Sequence, residues 1–237
     1  MAKKKAAVVL LSSGLDSTFN LVEAFQSLEV RLVLTFDYGQ KAAVREIERA
    51  RALVQRYSQT HTSLKHHIVK LPWFADFTRT SLIAQGDVPS GADVGIDDMD
   101  LSRATAKRVW VPNRNGIFLS IAAGFAEGLD AQYVIPGFNR EEAQTFPDNT
   151  GEFLTTLDYS WEYSTSNKVK TFCFSTNLDK TEIVALGLKS GVPFEMLWPC
   201  YLAGSKWCGR CESCQRYSRA LKANGLSFDE LNKEDPA

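Results

Sequence analysis

The chain has 237 residues, enough for one large domain with a full hydrophobic core and marginal for two. Apolar residues make up 44% and charged residues 23%, ordinary globular values that exclude disordered and fibrous classes. A formal net charge of −1 gives no global attraction to nucleic acid or to an acidic membrane surface.

Lys3, Lys4 and Lys5 precede an apolar run from Ala6 to Leu11, which is the order of a secretory signal. The run is too short for one, and Ser12, Ser13 and Asp16 interrupt it, so Ala6–Leu11 is expected as a buried first strand. No stretch has the apolar length needed to span a bilayer. Val30–Phe36, Ile68–Leu71 and Tyr133–Ile135 read as further buried strands, rich in Val, Ile and Leu. Ser17–Leu28, Val44–Tyr57 and Asn115–Gly128 carry helical spacing; in the first, Phe19, Val22, Ala24 and Phe25 form an apolar stripe. The β-α-β-α-β order implies an α/β fold with a parallel sheet and helices on both faces, binding ligands at the carboxyl ends of its strands.

Between Trp73 and Arg108 the pattern breaks. Asp87, Asp93, Asp97, Asp98 and Asp100 stand among Gly and Pro, and the segment reads as a long loop with a solvated acidic face. Beyond Pro136 a helix is expected over Pro147–Trp161, a strand over Val169–Phe174, and a helix over Lys180–Ser190 that ends before Gly191. A last helix lies near Ser213–Ala223. The expected division is an α/β domain over residues 1–195, closed by a small metal-binding C-terminal subdomain over 196–237.

Ser12-Ser13-Gly14-Leu15-Asp16-Ser17 falls between the first strand and the first helix. There, backbone N–H groups, the positive helix end and several hydroxyls converge on one point, which suits phosphate. Gly14 lets the backbone approach closely. Asp16 repels bare phosphate, so its expected task is to hold Mg²⁺. The alternative is that Ser12, Ser13 and Asp16 merely cap the helix. The segment is not a Walker A loop. It resembles the Ser-Gly-Gly-x-Asp-Ser loop of enzymes that split ATP into AMP and pyrophosphate, with Ser13 in place of the first glycine. That resemblance implies ATP binding by Leu11, Ser12, Ser13, Gly14, Leu15, Asp16, Ser17 and Thr18.

Four of the five cysteines, Cys200, Cys208, Cys211 and Cys214, crowd into one short segment. An odd count with one tight cluster suits a metal site in a reducing compartment, hence the cytoplasm. Four thiolates close a tetrahedral zinc site whose role is structural. An iron–sulfur cluster is the competing chemical reading. Cys173, alone in an expected strand, reads as a small buried hydrophobe, and His61, His66 and His67 as structural or exposed.

Further segments carry a more specific resemblance. Phe36-Asp37-Tyr38-Gly39-Gln40, Val111-Pro112-Asn113-Arg114-Asn115, Gly137-Phe138-Asn139 with Glu141, Glu142 and Pro147-Asp148, Lys180-Thr181-Glu182-Ile183, and Cys200-Tyr201 with Cys208-Gly209-x-Cys211 follow one another as in the QueC family. From Ala6 to about Ala220 the chain resembles these 7-cyano-7-deazaguanine synthases of the queuosine pathway. The resemblance implies an adenine nucleotide alpha hydrolase-like fold and a homodimer. It implies a ligase that uses ATP and ammonia to turn 7-carboxy-7-deazaguanine into its nitrile. Asp16, Arg114 and Lys180 are its candidate catalytic groups, and Asn115, Gly137, Asn139, Glu142 and Asp148 its candidate substrate contacts. The alternative for Arg114 and Lys180 is a surface ion pair; for Asn139, Glu142 and Asp148 it is turn capping.

The chain departs from the family pattern at Ser13, Lys41-Ala42, Asn113, Asn149 and Phe174-Ser175. A paralogue acting on a related deazapurine or another carboxylate therefore stays open. So do a tRNA-modifying ATP enzyme and an amide-forming synthetase of the same loop class. An RNA-gripping module using Lys206, Arg210, Arg216 and Arg219 is disfavoured by the near-neutral charge.

Overall fold

The computed structural model describes residues 4–62, 64–83 and 86–233, so Lys3 and the last residues of the 196–237 segment lie outside the description. The chain runs β1 (Ala6–Leu10), α1 (Leu15–Ser27), β2 (Glu29–Asp37), α2 (Ala43–Ser58), β3 (Lys65–Lys70), α3 (Phe74–Phe77), α4 (Met99–Val109) and α5 (Arg114–Gly128). It continues through β4 (Tyr133–Ile135), α6 (Arg140–Ala143), α7 (Gly151–Ser164), β5 (Lys170–Thr171), α8 (Lys180–Ser190), α9 (Glu212–Ala223) and α10 (Phe228–Leu231). The five strands form one sheet in the order β3-β2-β1-β4-β5, and every neighbouring pair is parallel.

The expected parallel sheet with helices on both faces is present, for the reason the sequence gives. Successive side chains of a strand point to opposite faces. Ala6 and Val8 of β1 join the core that contains Phe118, Leu119 and Ala122 of α5. Ala7 and Val9 join the opposite core, with Leu21, Ala24 and Phe25 of α1 and Leu53 and Val54 of α2. Because β1 lies between β2 and β4, chain order reverses at β1, and the loop after β1 emerges at that switch point.

Four expectations need correction. The third strand is Lys65–Lys70 and not Ile68–Leu71, and it alternates between half-buried and exposed residues because only β2 pairs with it. His66 stands inside this strand, bonded to Thr35 Oγ1 at 2.9 Å, and burial, with Arg51 and His67 nearby, lowers its pKa to about 4. The fifth strand shrinks from Val169–Phe174 to Lys170–Thr171. The helix expected over Pro147–Trp161 splits into a 3₁₀ turn at Pro147–Asn149 and α7, which Thr150 caps by accepting from Phe153 N at 3.1 Å.

The segment from Trp73 to Arg108 is not all loop. Asp98 accepts hydrogen bonds from Asp100 N and Leu101 N and so starts α4, while Lys107 and Arg108 favour its C-terminal end. The segment is also tied to the cysteine region. Ser90 bridges Cys211, and Gly91 N donates to Arg210 O at 2.9 Å.

Candidate functional site

The β1–α1 loop begins with Leu11, whose N–H donates to Leu34 O at 2.8 Å and whose carbonyl accepts from Thr35 Oγ1 at 2.8 Å. Ser13 then turns the chain at φ 60°, in the left-handed region that favours glycine. Its side chain is fully buried and its Oγ donates to Ser12 O at 2.6 Å. Its carbonyl is held by Trp198 N at 2.9 Å. Asn113, the other residue standing where the resembled pattern has glycine, likewise sits at φ 51°. Both departures thus keep the backbone that glycine would supply, at the steric cost an L-residue meets there.

No side chain caps α1; its N-cap is Gly14. Helix capping is therefore not what Ser12, Ser13 and Asp16 do. Instead Ser12 and Ser17 pair their hydroxyls at 3.1 Å, and both face a cavity of about 240 Å³. Pro136 and Gly137, after β4, line the same cavity, packed against the start of α1. A Cβ on Gly137 would lie 2.5 Å from Ser17 N, so only glycine allows β4 to pass this close to the helix start.

The cavity's charged centre is assembled from three elements. Lys180, first residue of α8, lies 2.7 Å from Asp16 Oδ2 and 2.9 Å from Glu142 Oε1, with its side chain 4% exposed. Asp179 positions it by closing a capping box with Glu182 at the start of α8. The surface-pair reading of Lys180 is thereby excluded. Burial opposes its charge, but Asp16 and Glu142 outweigh burial and raise its pKa. Burial raises the Asp16 pKa despite Lys180, whereas for Glu142 the Lys180 ammonium overcomes burial and lowers it. Two carboxylates thus share one ammonium. Asp16 Oδ1 is buried with no hydrogen-bond partner, an acceptor that the described residues leave unsatisfied.

Arg114 opens α5 and is half-buried. Its guanidinium donates to Tyr38 Oη at 3.3 Å and lies over the Tyr38 ring. Among the described residues no carboxylate lies within ion-pair distance of it, so an anionic ligand can take that place.

Of the expected site residues, Leu11, Ser12, Gly14, Leu15, Asp16, Ser17, Arg114, Asn115, Gly137, Glu142 and Lys180 line this one cavity. Four do not. Ser13 is turned inward, and Thr18 is fully buried with its Oγ1 unpartnered. Asn139 is fully buried and accepts from Glu142 N at 2.9 Å, so it caps α6 and thereby sets Glu142. Asp148 stands behind the wall, its carbonyl accepting from Asn115 Nδ2 at 3.4 Å; burial raises its pKa, against Arg114.

Cys200, Cys208, Cys211 and Cys214 come together as expected, each Sγ within 4.8 Å of the others. Leu202 N and Cys208 N point at Cys200 Sγ, and Arg210 N and Cys211 N at Cys208 Sγ, all between 3.3 and 3.4 Å. Gly209 makes this turn at φ 67°. Metal–thiolate bonds of about 2.3 Å put tetrahedral sulfurs about 3.8 Å apart. The 4.0 Å between Cys208 and Cys214 fits that, so the cluster is compatible with a structural metal. The arginines beyond it are committed to the fold. Arg216 pairs with Glu212 at 2.9 Å and Glu141 at 3.0 Å, and Arg219 with Asp97 at 3.1 Å.

The model of the QueC family, described as queuosine biosynthesis protein QueC, matches residues 6–225. The chain belongs to this family. It is 51% identical over 236 residues to the 7-cyano-7-deazaguanine synthase of Bdellovibrio bacteriovorus, covering 99% of this chain and 100% of the relative. The synthase of Pelotomaculum thermopropionicum is 47% identical over 94% of this chain and 99% of its own. That of Methanosarcina mazei is 44% identical over 96% and 98%.

The departures from the family pattern sort by position. Phe174 and Ser175 do not line the cavity: Asn20 accepts from Phe174 N, and Ser175 Oγ donates to Phe138 O at 2.6 Å, an internal joint. Ala42 and Asn149 do line it. Sequence reasoning missed Glu46 and assigned no site role to Tyr38 or Gln40, although all three face the cavity. No local signal marks Glu46, one charge among Arg45, Glu48 and Arg49 in the first turns of α2.

Proposed function

We propose that the chain is an ATP-dependent 7-cyano-7-deazaguanine synthase, joining ammonia to 7-carboxy-7-deazaguanine. The observation that carries this is the single cavity in which a pyrophosphatase-type loop, the buried Asp16–Lys180–Glu142 cluster and an Arg114 free of carboxylate partners meet, in a member of the QueC family.

The substrate carboxylate is a poor electrophile. One of its oxygens attacks the α-phosphorus of ATP, and the bond to pyrophosphate breaks. Ammonia adds to the resulting acyl adenylate, AMP departs with that oxygen, and a proton is lost, giving the amide. The amide oxygen then attacks a second ATP, again releasing pyrophosphate. Loss of AMP and the two nitrogen protons leaves the nitrile. Ser12, Gly14 and Ser17 receive the pyrophosphate portion, where negative charge grows as it leaves. Lys180 supplies a fixed positive charge beside it, and Arg114 orients the substrate carboxylate by its planar fork. Asp16 Oδ1 is the atom that would hold Mg²⁺, which would neutralise the departing phosphate oxygens.

Zinc is the metal that the four-thiolate site favours, with 196–237 as the segment it closes against the 1–195 domain. The proposed place is the cytoplasm, whose reducing conditions suit a cluster of four unpaired thiols; no helix of the described residues is long and apolar enough to cross a membrane. The proposed assembly is a homodimer without nucleic acid.

Purified protein with ATP, Mg²⁺, ammonium and ¹⁸O-carboxylate-labelled substrate should give the nitrile, two AMP and two pyrophosphate. One label should appear in each AMP. ADP with labelled inorganic phosphate would overturn the adenylation route. Labelled AMP without nitrile would reject this substrate and point to Ala42 and Asn149.

A further inference from the structure

One carboxylate on the cavity wall has no part in the chemistry above. Glu46 lies in the first turn of α2, an element that contributes nothing to the Asp16–Lys180–Glu142 cluster, and lines the same cavity. Its Oε2 accepts from Gln40 Nε2 at 2.8 Å. Gln40 is itself immobilised: its Nε2 also donates to Phe36 O at 3.0 Å, and its Oε1 accepts from Tyr38 N at 3.0 Å. Among the described residues, the second oxygen of Glu46, Oε1, has no hydrogen-bond partner and no cation within ion-pair distance. Phe36, Tyr38 and Phe118 line the same cavity as one packed aromatic group: Phe36 and Phe118 stack on each other at 4.1 Å, and Tyr38 meets Phe118 edge-on at 5.3 Å.

A fixed carboxylate lining a cavity that aromatic residues also line suits a flat heterocycle that presents adjacent N–H donors. A guanine-type edge does so, with its ring N1–H beside the exocyclic amino group, while adenine offers one donor next to a ring acceptor that a carboxylate repels. Resting on the function proposed above, we propose that Glu46, held by Gln40, reads the N1–H and 2-amino edge of the 7-deazaguanine ring and so sets which heterocyclic acid is accepted. Arg114 takes the carboxylate on the other ring of the same ligand. Of the edge readers expected from the sequence, Asn139 is fully buried and does not line the cavity, its Oδ1 capping α6 and its Nδ2 unpartnered, and Glu142 is paired with Lys180.

The test compares 7-carboxy-7-deazaguanine with its analogue lacking the 2-amino group, in the native protein and in Glu46→Gln, by calorimetric binding and by kcat/KM. Losing one hydrogen bond to a charged acceptor should cost the native protein roughly 10–100-fold in both measures. Glu46→Gln should reduce that preference to a few-fold or less while leaving the KM values for ATP and ammonium unchanged. A native protein that binds the two compounds equally overturns the assignment, and this needs no variant. So does an unchanged preference in Glu46→Gln with a raised KM for ATP, which would place Glu46 beside adenine, or with a raised KM for ammonium. Absence of turnover in the native protein would instead refute the proposed reaction, and the binding preference would still decide the role of Glu46.

Discussion

Replacing Lys180 by methionine removes the buried ammonium shared by two half-buried carboxylates and keeps most of its packing volume. Lys180 Nζ is 2.7 Å from Asp16 and 2.9 Å from Glu142, so the variant leaves both groups without their cation. Breaking a buried pair in this way costs about 3–5 kcal/mol. The lower end applies, because the Glu142 side chain is 31% exposed to the cavity and solvent can reach it. At roughly 2–4 °C per kcal/mol for a chain of this size, the melting temperature at pH 8 should fall by roughly 6–12 °C. The pH dependence checks the cause. With no ammonium beside them, burial lifts the folded-state pKa values of Asp16 and Glu142 above their unfolded values. The penalty is then fully present when both are ionised and shrinks as pH falls toward the unfolded values. Calorimetry of both proteins at pH 8 and pH 5 should therefore show the gap narrowing on acidification. Adding Glu142→Gln to Lys180→Met should recover part of it at pH 8. A gap of under 1 °C at pH 8, or one of constant size between the two pH values, would refute the account of an ammonium neutralising a buried pair.

Asp16→Asn should abolish pyrophosphate release and lower the melting temperature by only a few degrees, about 1 kcal/mol, because an amide oxygen can still accept from Lys180 in place of Oδ2 and Glu142 still neutralises that ammonium; collapse of the fold with normal turnover per folded molecule would oppose this. Cys211, fully buried in the cluster, should be indispensable: Cys211→Ser should unfold the C-terminal segment, and the native protein should be colourless with one zinc per chain by mass spectrometry, whereas a brown protein would mean iron–sulfur. Burial raises the Glu46 pKa to about 7, against hydrogen bonding from Gln40 and the charge of Arg114 and with a smaller push from Asp37. Binding of 7-carboxy-7-deazaguanine should accordingly strengthen from pH 6 to pH 8, and Glu46→Gln should flatten that calorimetric profile. The same raised pKa means ionised Glu46 opposes folding above its unfolded value, so Glu46→Gln should melt higher than the native protein at pH 8 and by a smaller margin at pH 5.

The sequence by itself determined the parallel sheet, the loop at its switch point and the four-thiol cluster. Each rests on local patterns. Alternating apolar strands between amphipathic helices leave one economical packing, Gly14 and the hydroxyls around it sit in consecutive positions, and the Cys208–Cys214 spacing brings thiols together within one turn and a helix start. Short strands and long polar segments were less legible. β5 keeps only two paired residues because its one partner, β4, is itself three residues long, a length that only strand pairing sets. α4 has a weakly apolar sequence and is held by contacts remote in the chain, with Thr105 Oγ1 bonded to Glu212 at 3.3 Å and Ser102 Oγ to Arg216 at 3.4 Å.

Roles within the site depended still more on tertiary structure. Asn139 and Glu142 are three residues apart, yet one faces the interior and the other the cavity. Lys180 becomes a buried catalytic candidate only because α8 aims its first residue at Asp16, 164 positions earlier. Glu46 reads in sequence as one more charge on an amphipathic helix, whose neighbours three and four residues away are equally charged or apolar. What distinguishes it is the end of β2, where Gln40 holds it against Phe36 and Tyr38, and burial beside a cavity alters a carboxylate in ways no local spacing records.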